Sequence, residues 1–411
     1  MERVSGAEPD LARRSRKTLI VRKLLRRNTI WCCTKPLELP HRWQPTGARL
    51  FKGLFLTYRS RCPRRMAVTH QATVRFLRRP GSYPQVSTVK VIETHMSWVF
   101  LAGPYALKLK KPLHNTFLDF RSIDARGHAC GEELRLNRRL APDVYLGVEM
   151  ISQQADGSLQ FGPGVAVVDY VIRMQRLPED VMLGTQLVRG LIRGAAGDAI
   201  LERVARCIAR FHQSLPVLKS SPLAWRKSIY KTIDANQAAI ESYQRFLTVS
   251  DLHLLCQQQR SFLHFHAEWI DTRIQQGCMV EGHGDLRAEH VFTQPSVGAI
   301  DCLEFSAALR QLDCADEIGF LALDCERLAG ESTARILLQH YQRFMKDYPP
   351  PALLHFYQSL RAAVRARLAL LRLQEQSYRP RMEWIQRADQ WLRLAIKHTR
   401  YMQLALPCYA S

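Results

Sequence analysis

The sequence predicts an α+β chain of two lobes, a small β-rich one followed by a larger, mainly helical one. Three observations carry that expectation. Short alternating segments dominate residues 86 to 174, and apolar positions then recur with a helical period through most of the remainder. Two acidic residues, Asp285 and Asp301, lie sixteen positions apart beside the short strands that interrupt those helices. A chain of 411 residues with 46% hydrophobic content is long enough to fill a sizeable core.

Residues 1 to 65 stand apart as a basic leader of low periodicity, with 17 Lys/Arg against 4 Asp/Glu. That segment holds +13 of the formal +22, so the body is only mildly basic. Three readings of the leader compete: a nucleic-acid or lipid-binding arm, an Arg-rich organellar targeting segment, and a stretch translated because the start was placed too early, Met66 being the true start. Nucleic-acid binding is therefore expected only through residues 1–65. The remainder divides into a first lobe over 66–176 and a helical lobe over 177–411.

In the first lobe, Val86 to Glu93 and Trp98 to Leu101 read as strands around the polar turn Thr94-His95-Met96-Ser97. Tyr105 to Lys110 alternates strictly, as a half-buried strand should. Ala125 to Leu140 has a helical period and ends at Ala141-Pro142, after which Val144 to Ile151 and Gly164 to Met174 return to strand. An antiparallel meander interrupted by one helix results. Beyond Leu177-Pro178, helices are expected over Ala199 to Gln213, Leu223 to Thr248, Leu252 to Gln276, Asp313 to Leu328, Ser332 to Asp347, Pro351 to Gln374 and Arg381 to Leu404. Short strands near Val280 and from Gly298 to Cys302 break that run.

The chemistry concentrates in Glu281-Gly282-His283-Gly284-Asp285-Leu286-Arg287-Ala288-Glu289-His290 and in Ile300-Asp301-Cys302-Leu303-Glu304. Two carboxylates so spaced suit a site in which one orients a hydroxyl and the other holds a metal-bound phosphate. His283-Gly284-Asp285-Leu286 and Ile300-Asp301 resemble the two motifs of the aminoglycoside phosphotransferase-like superfamily of small-molecule kinases. The likeness is to a bacterial subgroup often fused to a P-loop ATPase half. It extends to Thr94 through Leu101, Lys108-Leu109-Lys110-Lys111-Pro112, Glu132 through Pro142 and Asp313 through Glu326. No GxxxxGK[ST] occurs in these 411 residues, so the resemblance implies a kinase-like domain acting alone or with a separate P-loop ATPase partner.

The resemblance implies a bilobal protein-kinase-like fold, use of ATP with Mg²⁺, and a small-molecule acceptor. Lys108 is the candidate for the α/β-phosphates, with Lys110 on the same strand face as the alternative. Glu133, on the helix face of Leu136 and Leu140, is its candidate carboxylate partner, and Glu132 the solvated alternative. Thr94 and Ser97 are candidates for a phosphate-covering turn that lacks glycine, so backbone N–H groups would share the work. Residues 170–176 resemble the adenine-reading hinge. Asp285 is the candidate catalytic carboxylate and His283 braces its loop. Asp301 is the candidate Mg²⁺ ligand.

His290 departs from the pattern, standing where such enzymes place a metal-binding Asn. Imidazole suits Mn²⁺ better than Mg²⁺. That position therefore implies a weak second metal site, a role for Glu289 oxygen, or direct phosphate contact by His290. An ATP-binding pseudokinase without turnover is the alternative these departures support. Arg310, Asp313, Asp316 and Asp324 resemble a family-specific acidic-basic cluster, in which Asp313 and Asp316 would cap the catalytic loop, bind substrate amines or line a helix N-terminus, bracing being the expectation; Arg361 and Arg365, one turn apart, are either an anion-recognising face or a salt-bridged one. His212 is expected to be a packed core residue. Eleven scattered cysteines without a CxxC pair argue for a reducing compartment, and the absence of a long apolar run argues against a membrane span, so the expected location is the cytoplasm.

Overall fold

The computed structural model describes residues 68–114, 118–249, 252–374 and 380–406. The basic leader and Met66 lie outside them.

The first lobe is one six-stranded antiparallel sheet in the order β1-β2-β3-β6-β4-β5. Its strands are β1 (Val89–Glu93), β2 (Ser97–Ala102), β3 (Tyr105–Lys110), β4 (Tyr145–Gln153), β5 (Leu159–Phe161) and β6 (Ala166–Gln175). β2 and β3 pair from Ser97↔Lys110 to Ala102↔Tyr105 through the two-residue turn Gly103-Pro104, in which Gly103 has φ +56°. A glycine with positive φ at the first central position is what such a tight hairpin needs. The period of two sends Leu107 and Leu109 into an apolar layer with Phe100, Ile151 and Val171, and turns Lys108 and Lys110 to the other face.

Helix α1 (His70–Arg78) packs its Val74 and Leu77 into that apolar layer. On the opposite face lies α2 (Ile123–Asn137), capped by Ser122, whose hydroxyl accepts the Ala125 N–H. Its inward stripe carries Cys130, Glu133 and Leu136, all essentially inaccessible to solvent. α2 is the one described helix between the strands, and it aims its only buried carboxylate at the lysines of β3.

The second lobe holds α3 (Leu183–Val188), α4 (Gly194–Ser214), α5 (Pro222–Tyr243), α6 (Leu252–Phe265), α7 (Ala267–Gln275), α8 (Ala307–Arg310), α9 (Cys314–Ala329), α10 (Glu331–Met345), α11 (Pro351–Leu371) and α12 (Arg381–Leu404). Two small ribbons interrupt the helices. β7 (Met279–Glu281) pairs with β10 (Gln311–Asp313), and β8 (Val291–Phe292) with β9 (Gly298–Ala299). One apolar cluster joins α5, α6, α9, α11 and α12, with Phe262 stacked on Phe356 at 4.7 Å. A second joins α3, α4, α9 and α10 beneath the loop between β7 and β8. The α+β architecture expected from the sequence, a small antiparallel sheet lobe with one helix between its strands and a larger, mainly helical lobe, is the one observed. None of the described helices is long and apolar enough to cross a membrane.

Candidate active site

The sheet lobe contributes a pair of lysines and one carboxylate. Lys108 Nζ donates to Glu133 Oε1 at 2.7 Å and to Asp301 Oδ1 at 2.5 Å; Lys110 Nζ donates to Glu133 Oε2 at 2.6 Å and also pairs with Glu304. Both lysines thus lean on Glu133, and each also reaches a carboxylate of the other lobe. Burial alone would weaken the charge on these groups, but the mutual ion pairs outweigh it. Lys108 is held well above its ordinary range by Asp301 and Glu133, and Glu133 below its own by Lys108 and Lys110. The two lysines differ in access. Lys110 is 1% exposed, whereas Lys108 lines the interlobe cleft.

The Thr94–Ser97 turn lines the same cleft. Thr94 Oγ1 donates to the Ser97 carbonyl at 2.9 Å and accepts the Ser97 N–H at 3.0 Å. A hydroxyl has one proton, so Thr94 spends its donor inside the turn and can offer a phosphate no hydrogen bond without opening it. Ser97 is 1% exposed. Any phosphate cradle here must draw on backbone N–H groups.

The loop from β7 to β8 carries Asp285, and a carboxylate that the sequence did not mark holds it. Glu317, 1% exposed in the first turns of α9, accepts the backbone N–H of His283 at 2.9 Å and of Gly284 at 2.6 Å. It also accepts from His212 Nε2 at 2.9 Å, and His212 Nδ1 lies 2.6 Å from the Tyr341 hydroxyl. Burial alone would raise the Glu317 carboxyl, yet the His212 hydrogen bond and the loop amides bring it down to about 2. His212 is therefore buried, as expected, but it acts through Glu317 rather than by packing alone. Gly284 has φ +87°, and a Cβ there would lie 3.0 Å from Leu303 and 3.2 Å from the Leu309 carbonyl, so only glycine fits.

His283 Nε2 meets the Ile300 carbonyl at 2.9 Å and so carries the proton as a donor. Burial pushes this imidazole down to about 4 and keeps it neutral. It ties the loop of Asp285 to the segment of Asp301. Arg139 adds hydrogen bonds to the carbonyls of Glu281 and Gly282 at 2.7 and 2.8 Å.

Asp285 faces Arg287, whose Nε is 3.1 Å from both carboxylate oxygens, and Arg365, at 3.6 Å. Burial opposes its ionisation, but Arg287, then Arg365 and His290, hold its carboxyl well below the ordinary range. Asp301 is likewise held far below its usual range by Lys108 and His290 against the effect of burial. It sits at φ +64°, a left-handed conformation that aspartate tolerates, and its backbone N–H donates to the Tyr145 hydroxyl at 3.2 Å. The next amide, Cys302 N–H, donates to Asn137 Oδ1 at 2.9 Å, so α2 positions the metal-candidate segment from the other lobe.

His290 lies between the two aspartates. Its Nδ1 meets the Asp285 carbonyl at 2.9 Å and must donate, leaving Nε2 to accept from Arg287 at 3.2 Å, with Asp301 Oδ2 3.7 Å away. Among the described residues no group of three or more His, Cys, Asp and Glu side chains is arranged to hold a metal. A single carboxylate such as Asp301 suits Mg²⁺, which commonly takes one or two protein carboxylates and completes its shell with phosphate oxygens and water. The adjoining imidazole nitrogen is a better donor for Mn²⁺.

The remaining cluster braces. Asp313 pairs with Arg273 at 2.6 Å and accepts the Ala315 N–H at 2.8 Å; Asp316 accepts from Arg361 Nη2 at 2.6 Å and Nε at 2.7 Å. Asp324 accepts the Ala288 N–H at 3.0 Å, and Arg310 pairs with Glu281 at 2.5 Å. Glu132, paired with Arg135 at 2.7 Å and reached by Arg310, is not merely solvated. The cleft itself, about 640 Å³, runs from the Thr94–Ser97 turn and residues 174–177 past Lys108 and Asp301 to Arg365 and the α12 residues Trp384 and Trp391.

No protein-family model matches this chain. Uncharacterized proteins of Mycobacterium tuberculosis and Mycobacterium bovis are 31% identical over 291 residues, 70% of this chain and 56% of theirs. The chain thus spans little more than half the length of the curated relatives it matches. Among solved structures, a choline/ethanolamine kinase family protein from Mesorhizobium loti is similar at 11% identity and TM-score 0.48, over 82% of this chain and 98% of that one. A glucosamine kinase in complex with glucosamine, ADP and inorganic phosphate is similar at 12% identity and TM-score 0.42, over 82% and 83%. The GDP complex of an aminoglycoside 2′-phosphotransferase gives 14% identity and TM-score 0.39, over 77% and 94%.

Proposed function

We propose that the chain is an ATP-dependent phosphotransferase acting on a hydroxyl of a small molecule. The observation that carries this reading is the meeting of the Lys108–Glu133 pair of the sheet lobe with Asp301 of the helical lobe beside one cleft, with the His290 imidazole of that cleft reaching from Asp301 to the loop of Asp285.

In this reading Lys108 neutralises the nucleotide phosphates and Glu133 fixes its direction. Asp301 would hold Mg²⁺, which when bound supplies positive charge to the phosphoryl group in transfer. Asp285, strongly acidic, cannot draw the acceptor proton off early. It accepts a hydrogen bond from the hydroxyl, aligns the oxygen, and receives the proton late, which suits a loose transition state in which the nucleophile needs little activation. Glu317, His283 and His290 hold that carboxylate in place, so the chain's contribution is positioning and electrostatics.

The test is Asp285→Asn. ATP-dependent phosphorylation or ATP hydrolysis should fall by 10²-fold or more, on the order of what general-base removal costs, while ATP affinity stays within about twofold. Equal turnover by both proteins sinks the reading. A second reading, a nucleotide-binding pseudokinase, draws on Arg287, which sits on both oxygens of Asp285. ATP binding without turnover across Mg²⁺, Mn²⁺ and a broad acceptor panel would favour it. A separate P-loop ATPase partner belongs to the same proposal, and co-purification with such a protein is its check.

A further inference from the structure

We propose that the acceptor is an anion, a hydroxyl compound whose carboxylate or phosphate group is held by Arg365 beside Arg287. The inference rests on the phosphotransferase reading and specifies its substrate class. Any hydroxyl that donates to Asp285 is brought within reach of these two guanidinium groups, because Arg287 touches both oxygens of that carboxylate and Arg365 approaches one of them.

Arg361 and Arg365 occupy the same face of α11, one turn apart, and their surroundings differ sharply. Arg361 is neutralised by Asp316 through two short hydrogen bonds. Arg365 has Asp285 as its nearest described carboxylate, at 3.6 Å, which is beyond hydrogen-bond length. Its Nε is buried with no hydrogen-bond partner, while its side chain is 23% exposed and lines the cleft. A guanidinium has five donors in a planar fork matched to carboxylate and phosphate, and leaving them unmet in a buried setting is costly. Burial and the neighbouring Arg287 also push the charge on Arg365 down, a tension that a bound anion would relieve.

The described carboxylates of the cleft offer no counterpart for an amine. Among the described residues, six Lys and Arg side chains line it against three carboxylates. Each of those three already has a cation: Glu289 meets Arg287 at 2.5 Å, Asp301 meets Lys108 at 2.5 Å, and Glu304 meets Lys110. A cationic acceptor would approach Asp285 past Arg287 and Arg365 and be repelled. Trp384 and Trp391 beside the arginine side of the cleft give apolar walls to the rest of the molecule.

The transfer then balances simply. The bond between the γ-phosphorus and the β–γ bridging oxygen breaks, and its electron pair leaves on the nucleoside diphosphate. The acceptor oxygen forms the new P–O bond, and its proton passes to Asp285 and then to solvent.

The experiment uses the full chain and one six-carbon skeleton in three charge states: glucose 6-phosphate and gluconate, glucose, and glucosamine. Binding of each is measured by calorimetry in the presence of Mg²⁺ and a non-hydrolysable ATP analogue, for wild type, Arg365→Gln and Arg365→Lys. The wild type should bind the anions roughly tenfold or more tightly than glucose, and glucosamine least. Arg365→Gln should lose about 10- to 100-fold of anion affinity, the range of a charge-assisted hydrogen bond, Arg365→Lys should retain part of it, and the analogue's own affinity should hold within about twofold.

Preference for glucosamine or glucose overturns the proposal, as does unchanged anion affinity in Arg365→Gln or no anion binding beside the analogue. An equal loss of analogue and anion affinity also overturns it, by assigning Arg365 to the nucleotide. Anion binding without phosphorylation of either anion leaves the anion site standing and sinks the phosphotransferase reading, whereas failure of the analogue to bind wild type sinks both.

Discussion

Replacing Glu317 with Gln tests the idea that a buried carboxylate remote from the reacting atoms sets the geometry of the catalytic loop. The carboxylate accepts the N–H groups of His283 and Gly284 and the His212 ring proton. Burial raises a carboxyl in such a place, yet the His212 hydrogen bond and the loop contacts lower this one from 4.5 to about 2. That difference corresponds to roughly 3 kcal/mol of stability at neutral pH. Because the folded-state value lies below the unfolded one, the stabilisation is complete above about pH 4.5 and is lost as pH falls toward 2. An amide keeps the shape but turns an NH₂ toward one loop N–H, leaving a buried donor unmet.

The expected result is a loss of about 3 kcal/mol in urea-unfolding free energy at pH 7, with a gap between Glu317→Gln and wild type that narrows steadily from pH 5 to pH 3. In the phosphotransfer assay kcat should fall while nucleotide KM stays near wild type, since Lys108 and Glu133 are untouched. Identical unfolding midpoints at pH 7, or a gap independent of pH, would refute the account of the loop.

Two further substitutions separate roles that the structure brings close together. Lys108→Met should raise nucleotide KM by roughly tenfold or more with little change in stability relative to Lys110→Met. Lys110→Met, which leaves the nearly buried Glu304 without its lysine and Glu133 with Lys108 alone, should cost about 3 to 5 kcal/mol in unfolding free energy; comparable thermal midpoints for the two variants would count against the division. His290→Asn should shift the ratio of Mg²⁺- to Mn²⁺-supported activity toward Mg²⁺, because an amide oxygen is the harder donor. Metal titrations that superimpose for variant and wild type would show that His290 faces no metal.

The sequence was most legible where one local period decides an outcome. β3 was read with its observed bounds because alternation from Tyr105 to Lys110 has one strand solution, and α12 because Pro380 and Pro407 flank an unbroken helical period. Helix α1 was not expected, and β5 was hidden behind the turn at Asp156-Gly157. The stretch 252–276 reads as one helix but breaks at His266, whose ring packs on Phe262 and Trp269 in preference to continuing the helix. That is tertiary packing overriding propensity. Asp285, Asp301, Lys108 and Glu133 were all named from the sequence; the last three meet through ion pairs beside the cleft, and Asp285 lies against Arg287 and Arg365, which line it. Glu317 was not singled out, although it lies on the helix whose Asp313 and Asp316 were. Its partners are backbone amides thirty-odd residues upstream, which no spacing rule reveals, and glycines 282 and 284, flanking His283, were the available hint of a close approach.

The hairpin turn at Gly103-Pro104 acts as a ruler for the chemistry. It sets how far β3 is drawn back along β2, and both ammonium groups ride on that strand. An inserted residue taken up by a one-residue slip of β3 along β2 would exchange the faces, offering Leu107 and Leu109 to the cleft and forcing two charges into the oily layer behind it. A dipeptide on the rim of the sheet thus meters which side of a ribbon meets the cleft, and tolerance to a slip in register should be lowest there, although neither residue lines that cleft.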